Sequence, residues 1–189
     1  MKRFLILPLA VLFLASALSA QSKTNEAIAK QIKDLKAEKA ITLTYDEASK
    51  TSKIMVVAED FGKSQNKRAG VEAMNFGMAF FYPGTTLTFA PAEINLTFWV
   101  SNKKPKFAEA HRWTVTVGSE TIDLGEARYA ARPKENMEYL NFRISRADLE
   151  KIARSPDVKF KLGNAELKFT PEHLKNFHDF LKLSELSEK

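Results

Sequence analysis

Val71-Glu72-Ala73-Met74-Asn75-Phe76-Gly77-Met78-Ala79-Phe80-Phe81-Tyr82 changes character in steps of two. Met74, Phe76, Met78, Phe80 and Tyr82 fall on one face, with Ala73, Asn75, Gly77, Ala79 and Phe81 opposite, which is the period of a strand and not of a helix. Both faces read as covered. A face of Gly and Ala lets another layer approach closely, so the stretch is predicted to be a central strand rather than an edge. Downstream, Pro83-Gly84 and Ala90-Pro91-Ala92 break the apolar block and predict turns. The triplets Leu87-Thr88-Phe89 and Leu96-Thr97-Phe98 flank the second break and are read as two paired strands. No similarity at the 20 to 50 residue period of repeat proteins accompanies them.

Upstream, Ile41, Leu43 and Tyr45 alternate with Thr42 and Thr44 in a half-buried strand, and Lys53 to Phe61 forms a second candidate. The polar run Gly62 to Arg68 reads as an exposed loop. Before these strands, Ala27, Ile28, Ile32 and Leu35 make a narrow apolar stripe on a helix over Asn25 to Lys39, read as packed on the body or a partly ordered spacer in preference to a partner-docking helix.

Beyond Val100, Ser101 to Glu109 reads as a surface loop. Trp113, Val115 and Val117, then Gly118-Ser119, then Ile122 and Leu124 predict a hairpin. Val158, Phe160 and Leu162, then Gly163-Asn164, then Leu167 and Phe169 predict another, because glycine enters positive φ in tight turns at no steric cost. Leu140, Phe142 and Ile144 form a strand between them, and Ser145 caps a short helix through Ala153. At the C-terminus, Thr170 as N-cap, Pro171 at the first helical position and Glu172 in the first turn predict a helix. Its Leu174, Phe177, Phe180 and Leu181 should lie across a sheet. The fold expected is β-rich α+β: an antiparallel β-sandwich or partly closed barrel, with a short N-terminal helix and a C-terminal helix packed at the margin.

Lys2 and Arg3, the apolar run Phe4 to Leu14 and the small residues Ala15 to Ala20 have the layout of a secretory signal peptide, with cleavage after Ala17 or Ala20. The run is shorter than the about 20 residues of a spanning helix, and no second stretch of membrane length follows. The organisation expected is a signal peptide over 1–20, a helix or spacer over 21–40 and a single β-rich domain over 41–189. Export to the periplasm or the extracellular space follows from the leader. Without Lys2 and Arg3 the 29 basic residues become 27 against 23 acidic ones, too small an excess to predict nucleic-acid binding. The chain has no cysteine, which removes disulfides and thiolate metal sites.

Motifs for chemistry are sparse. His111, His173 and His178 belong to no spaced zinc motif; the last two lie about 140° apart around a helix. They read as solvated or hydrogen-bonding histidines, and no metal is predicted. The seven glycines form no phosphate loop, so no cofactor is expected. Ser119 lacks the turn of a serine nucleophile and belongs to its hairpin. Paired carboxylates for hydrolysis could come from Asp46, Glu59, Asp60, Glu72, Glu93, Asp123, Glu126 and Glu138. Lys159, Lys161, Arg143 and Lys168 would join into a basic strip if their strands were neighbours, although lysines on strand faces also prevent aggregation.

One aromatic departs from its pattern. Ile94, Leu96, Phe98 and Val100 share a face, which leaves Trp99 beside Asn95 and Thr97. Trp99 is the binding candidate: either the C-terminal helix covers it, the reading preferred, or it is an exposed platform. Trp113 sits on the apolar side of its strand and is expected in the core. The function expected is an exported, non-catalytic binding or structural module of the periplasm or cell envelope, its partner a protein or envelope component. The alternative is a small secreted hydrolase using paired carboxylates.

Overall fold

The structure, a computed structural model, describes residues 22–57 and 59–186. The leader expected over 1–20 lies outside the described residues. In chain order the elements are β1 (Lys23–Thr24), α1 (Asn25–Asp34), β2 (Ile41–Asp46), β3 (Thr51–Val56), β4 (Glu59–Asp60), α2 (Lys63–Ala69), β5 (Ala73–Pro83), β6 (Thr86–Leu87), β7 (Glu93–Ser101), β8 (Arg112–Val117), β9 (Glu120–Glu126), β10 (Arg128–Arg132), a 3-10 turn (Pro133–Glu135), β11 (Met137–Ser145), α3 (Arg146–Arg154), β12 (Val158–Leu162), β13 (Ala165–Lys168) and α4 (Pro171–Leu183). The chain is β-rich, and every strand pair among the described residues is antiparallel. A large sheet runs β10-β11-β7-β5-β3-β2, with β4 also on β5; a smaller one runs β13-β12-β8-β9, and β1 pairs with β6. Neither larger sheet closes into a barrel among the described residues.

β5 is central, as its alternation predicts, with β7 on one side and β3 on the other. Its Met74, Phe76, Met78, Phe80 and Tyr82 are buried, as are Ile94, Leu96, Phe98 and Val100 beside them on β7. The inner faces of both larger sheets meet in one aromatic core. Phe98 of β7 stands 5.4 Å from Trp113 of β8 and 5.8 Å from Phe160 of β12, centroid to centroid. Phe169 stacks 4.5 Å from Phe160 and meets Phe177 of α4 at 4.9 Å. Each such side chain contributes about 1.5–3 kcal/mol by burial, and each well-placed aromatic pair about 0.5–1.5 kcal/mol more.

α4 begins where its signals place it. The Thr170 hydroxyl accepts from the His173 N–H and His173 returns the bond to the Thr170 N–H, completing a capping box. Leu174, Phe177, Phe180 and Leu181 are buried. Phe177 meets Phe76, and Phe180 meets Phe80, so this helix packs on the inner face of the large sheet.

Four expectations are corrected. Gly62 to Arg68 is not a loop: Lys63–Ala69 is α2, entered through a bond from the Gly62 N–H to Asp60 Oδ1 and closed by Gly70 at φ 72°. Its buried Asn66 bonds Asp60 Oδ1 at 3.1 Å, and polar anchoring of this kind leaves no apolar stripe to read. Lys53 to Phe61 is not continuous, because β3 ends at Val56 and β4 resumes on β5 at Glu59. Leu87 pairs with Lys23 of β1 rather than with β7, and Phe89 is exposed. Finally, the Gly and Ala face of β5 receives no second layer among the described residues. Trp99 of the same sheet lies over Gly77 instead, where a Cβ would come within 2.8 Å of the indole ring and 2.9 Å of the Val56 carbonyl.

Candidate functional site

Pairing fixes which side chains share the outer face of the large sheet, because directly opposed residues project together. Asn75, Trp99, Tyr139 and Ala130 form one row across β5, β7, β11 and β10. The next row is Gly77, Thr97, Asn141 and Arg128, and beyond it come Ala79, Asn95 and Arg143. Lys53 and Met55 of β3 flank Phe81 and Ala79. Inner neighbours are buried, whereas Asn75, Thr97, Trp99 and Tyr139 are only partly so, Phe81 is 50% exposed and Phe89 45%. α4 packs on Phe76 and Phe80, the face opposite Trp99. The preferred expectation that the C-terminal helix covers Trp99 is therefore overturned: Phe76 and Phe80, which meet α4, alternate with the residues that border Trp99.

The polar groups on this face are partly organised. Thr97 donates to Asn141 Oδ1 at 2.8 Å, and Asn141 Nδ2 donates to the Arg128 carbonyl at 3.2 Å. The Arg132 guanidinium lies 5.3 Å above the Tyr139 ring, a cation–π distance. Arg143 reaches Glu93 only at 3.9 Å. Asn95, Thr97, Arg128, Asn141 and Arg143 line a shallow cleft of about 430 Å³.

A second constellation forms at the N-terminal end of α4. Pairing of Glu59 with Phe76 turns its carboxyl inward beside His173. The buried His173 ring meets Phe61 and Phe76 edge-on, each at 5.1 Å. Its Nδ1 accepts from Thr170, which leaves the proton on Nε2, 3.6 Å from Glu59 Oε2. Asn176 donates to Glu59 Oε1, and Oε2 is buried with no hydrogen-bond partner among the described residues. Burial pushes the Glu59 carboxyl up to about 7, aided by the Glu172 charge and opposed by the Asn176 bond. Burial likewise pulls His173 below its ordinary value, against the Asp60 carbonyl and the Glu172 and Asp60 charges. Glu59, Asp60, Glu172, His173 and Lys39 line a cleft of about 290 Å³.

The other carboxylates have local structural tasks. Buried Glu138 accepts from the Lys106 and Phe107 N–H groups and from the Tyr129 hydroxyl, pinning the loop that carries buried Phe107. Asp46 accepts from Ala48 and Ser49 in its own turn. Asp123 and Glu126 pair with Arg112, and Glu93 with Arg143. Glu72 is exposed. The basic strip divides: Lys159, Lys161 and Lys168 belong to the small sheet, paired there with Thr116, Thr114 and one another, while Arg143 belongs to the large one. Trp113 is in the core. Among the described residues no three His, Asp or Glu side chains gather as a metal site, and no helix is long and apolar enough to cross a membrane.

Sequence reasoning singles out Trp99 but misses Tyr139, Arg128 and the strand β10. Arg128-Tyr129-Ala130-Ala131-Arg132 carries no clean alternation because it is a mostly exposed edge. It also misses the Glu59–His173 pair, whose members are 114 positions apart. Compared with known proteins, the chain matches no family model, no curated protein and no solved structure.

Proposed function

We propose that this chain is an exported, non-catalytic binding module, a β-sandwich-like domain that recognises a partner protein or envelope component through the outer face of its large sheet. The observation that carries this reading is Trp99 laid over Gly77 on a face that no described layer covers, beside Tyr139, Phe81 and several amides. An aromatic anchored on one side and open on the other offers contact area at low entropic cost, the usual make-up of a binding hot spot. The leader supports export to the periplasm or beyond. Trp99→Ala tests the reading: the fold persists, and affinity for an envelope fraction falls by about 30-fold, the loss expected of a hot spot worth about 2 kcal/mol. A variant that keeps both its thermal midpoint and all its interactions refutes it. Intact mass of the exported protein tests the leader, with a species beginning at Met1 as the contrary result.

A second reading, a small secreted hydrolase, is favoured by the Glu59 cleft, which Glu59, Asp60 and Glu172 line together with a buried histidine. A carboxyl poised near 7 suits a proton donor, with Asp60 or Glu172 as the second carboxylate. A panel of chromogenic glycosides and esters tests it. Turnover abolished in Glu59→Gln supports the enzyme, and turnover unaltered in that variant rules this cleft out.

A further inference from the structure

We infer that the outer face of the large sheet takes an acidic oligosaccharide, with one sugar ring stacked on Trp99 and the carboxylate of a neighbouring ring held by Arg128. This rests on the reading of that face as the binding surface, and it adds the ligand's chemistry. The backbone hydrogen bonds of β5, β7 and β11 are spent within the sheet, so the face offers side chains alone. Extended peptides dock where this face has nothing to give: on a free strand edge, or in a groove with pockets for alternate side chains. The face offers instead a flat aromatic, hydrogen-bonding amides and guanidinium groups, which match a ring with an apolar side, a rim of hydroxyls and a carboxylate.

Charge complementarity selects an acidic ring. Lys53, Arg128, Arg132 and Arg143 project from the face, against Glu93, Asp60 beside Asn75, whose Oδ1 already accepts from the Gly62 N–H and from Asn66, and, at the far corner, Asp46. Arg132 is engaged with Tyr139 and with Glu135, and Arg143 reaches Glu93. The exposed Arg128 guanidinium has neither ion pair nor hydrogen bond among the described residues, and it borders the cleft of about 430 Å³. A guanidinium binds a carboxylate through two parallel N–H···O bonds, which fixes orientation as well as charge. Trp99 and Arg128 are one row offset and two strands apart, about 12 Å by strand spacing and rise, a span covered by linked sugar rings. Single-stranded nucleic acid also stacks on aromatics, but it tracks a continuous basic groove, which Glu93, Asp60 and Asp46 interrupt here.

The experiment uses the two tryptophans. Trp113 is fully buried, so acrylamide quenching reports Trp99, and a ligand on the face shields it. The probes are hexagalacturonic acid, neutral cellohexaose and an oligothymidylate. Hexagalacturonic acid is expected to shield Trp99 and to bind at least tenfold more tightly than cellohexaose. Arg128→Gln should weaken it about tenfold, and Trp99→Ala should weaken its binding as followed by calorimetry. Equal affinity for both sugars, or indifference to Arg128→Gln, overturns the acidic-sugar inference while leaving the face a binding surface. Tighter shielding by oligothymidylate overturns it in favour of nucleic acid. If no probe shields Trp99, the inference fails, and the envelope-fraction test of Trp99→Ala alone decides whether the face binds at all.

Discussion

Replacing Glu59 by Gln removes a carboxyl that folding pushes up to about 7. The folded pKa lies above the unfolded value, so the proton is held more tightly in the native state. The associated stability is fully present below about pH 4.5 and is lost as pH rises through about 7. A shift from 4.5 to about 7 corresponds to a ceiling of about 3 kcal/mol; with the cleft open to solvent, on the order of 1–2 kcal/mol is expected. His173 has the opposite sign: its folded pKa is depressed, so its contribution is present above about 6.5 and fades as pH falls. The two oppose one another in mildly acid solution, where most of the Glu59 change falls, but His173 is present in both proteins and its part is common to the two profiles. Glu172, Asp60 and Lys39 face the same cleft and remain in the variant. Urea unfolding of both proteins at several pH values between 5 and 8 measures the difference. Loss of hydrogen-bond geometry in Gln gives a constant offset, so the slope is the readout. Wild type should lose on the order of 1–2 kcal/mol relative to Glu59→Gln as pH rises. At roughly 2–4 °C per kcal/mol for a chain of this size, thermal midpoints would show the same divergence. Parallel profiles would mean that Glu59 is ionised and comfortably solvated throughout, and the account of its burial would be wrong.

Further outcomes follow from packing. Phe177→Ala removes a ring that contacts both Phe76 and Phe169, and should cost about 3–5 kcal/mol in urea unfolding; truncation at Thr170 should abolish cooperative unfolding, whereas an unchanged midpoint would make α4 a free tail. Gly77→Ala should destabilise by about 1–3 kcal/mol, because its Cβ meets the Trp99 ring and the Val56 carbonyl; adding Trp99→Ala should recover only part of the loss, since the backbone contact remains, and full recovery would show that the carbonyl is not in the way.

The residues alone determined every element whose signal is local. The alternation of β5 and β7, the Gly118-Ser119 and Gly163-Asn164 hairpins, the Ser145 cap of α3 and the Thr170-Pro171 start of α4 depend on neighbours within a few positions, so they are legible in order along the chain. The alternation also places Trp99 on the side away from the core. Whatever depends on partners distant in sequence was left to the tertiary structure. α2 is held by Asp60, Gly70 and a bond from the Lys168 N–H to Gln65 Oε1, none of which forms an apolar period. Leu87 finds Lys23 rather than the second triplet because the chain folds back there, and triplet resemblance carries no information about register. The side on which α4 packs is invisible in its own amphipathic stripe, since a stripe states that a face is buried but not against what. That choice leaves Trp99 uncovered, assembles Arg128, Asn141 and Tyr139 beside it, and presses Glu59 against His173 across 114 positions of chain, because burial and proximity, which set both contacts and pKa values, are properties of the packed molecule alone.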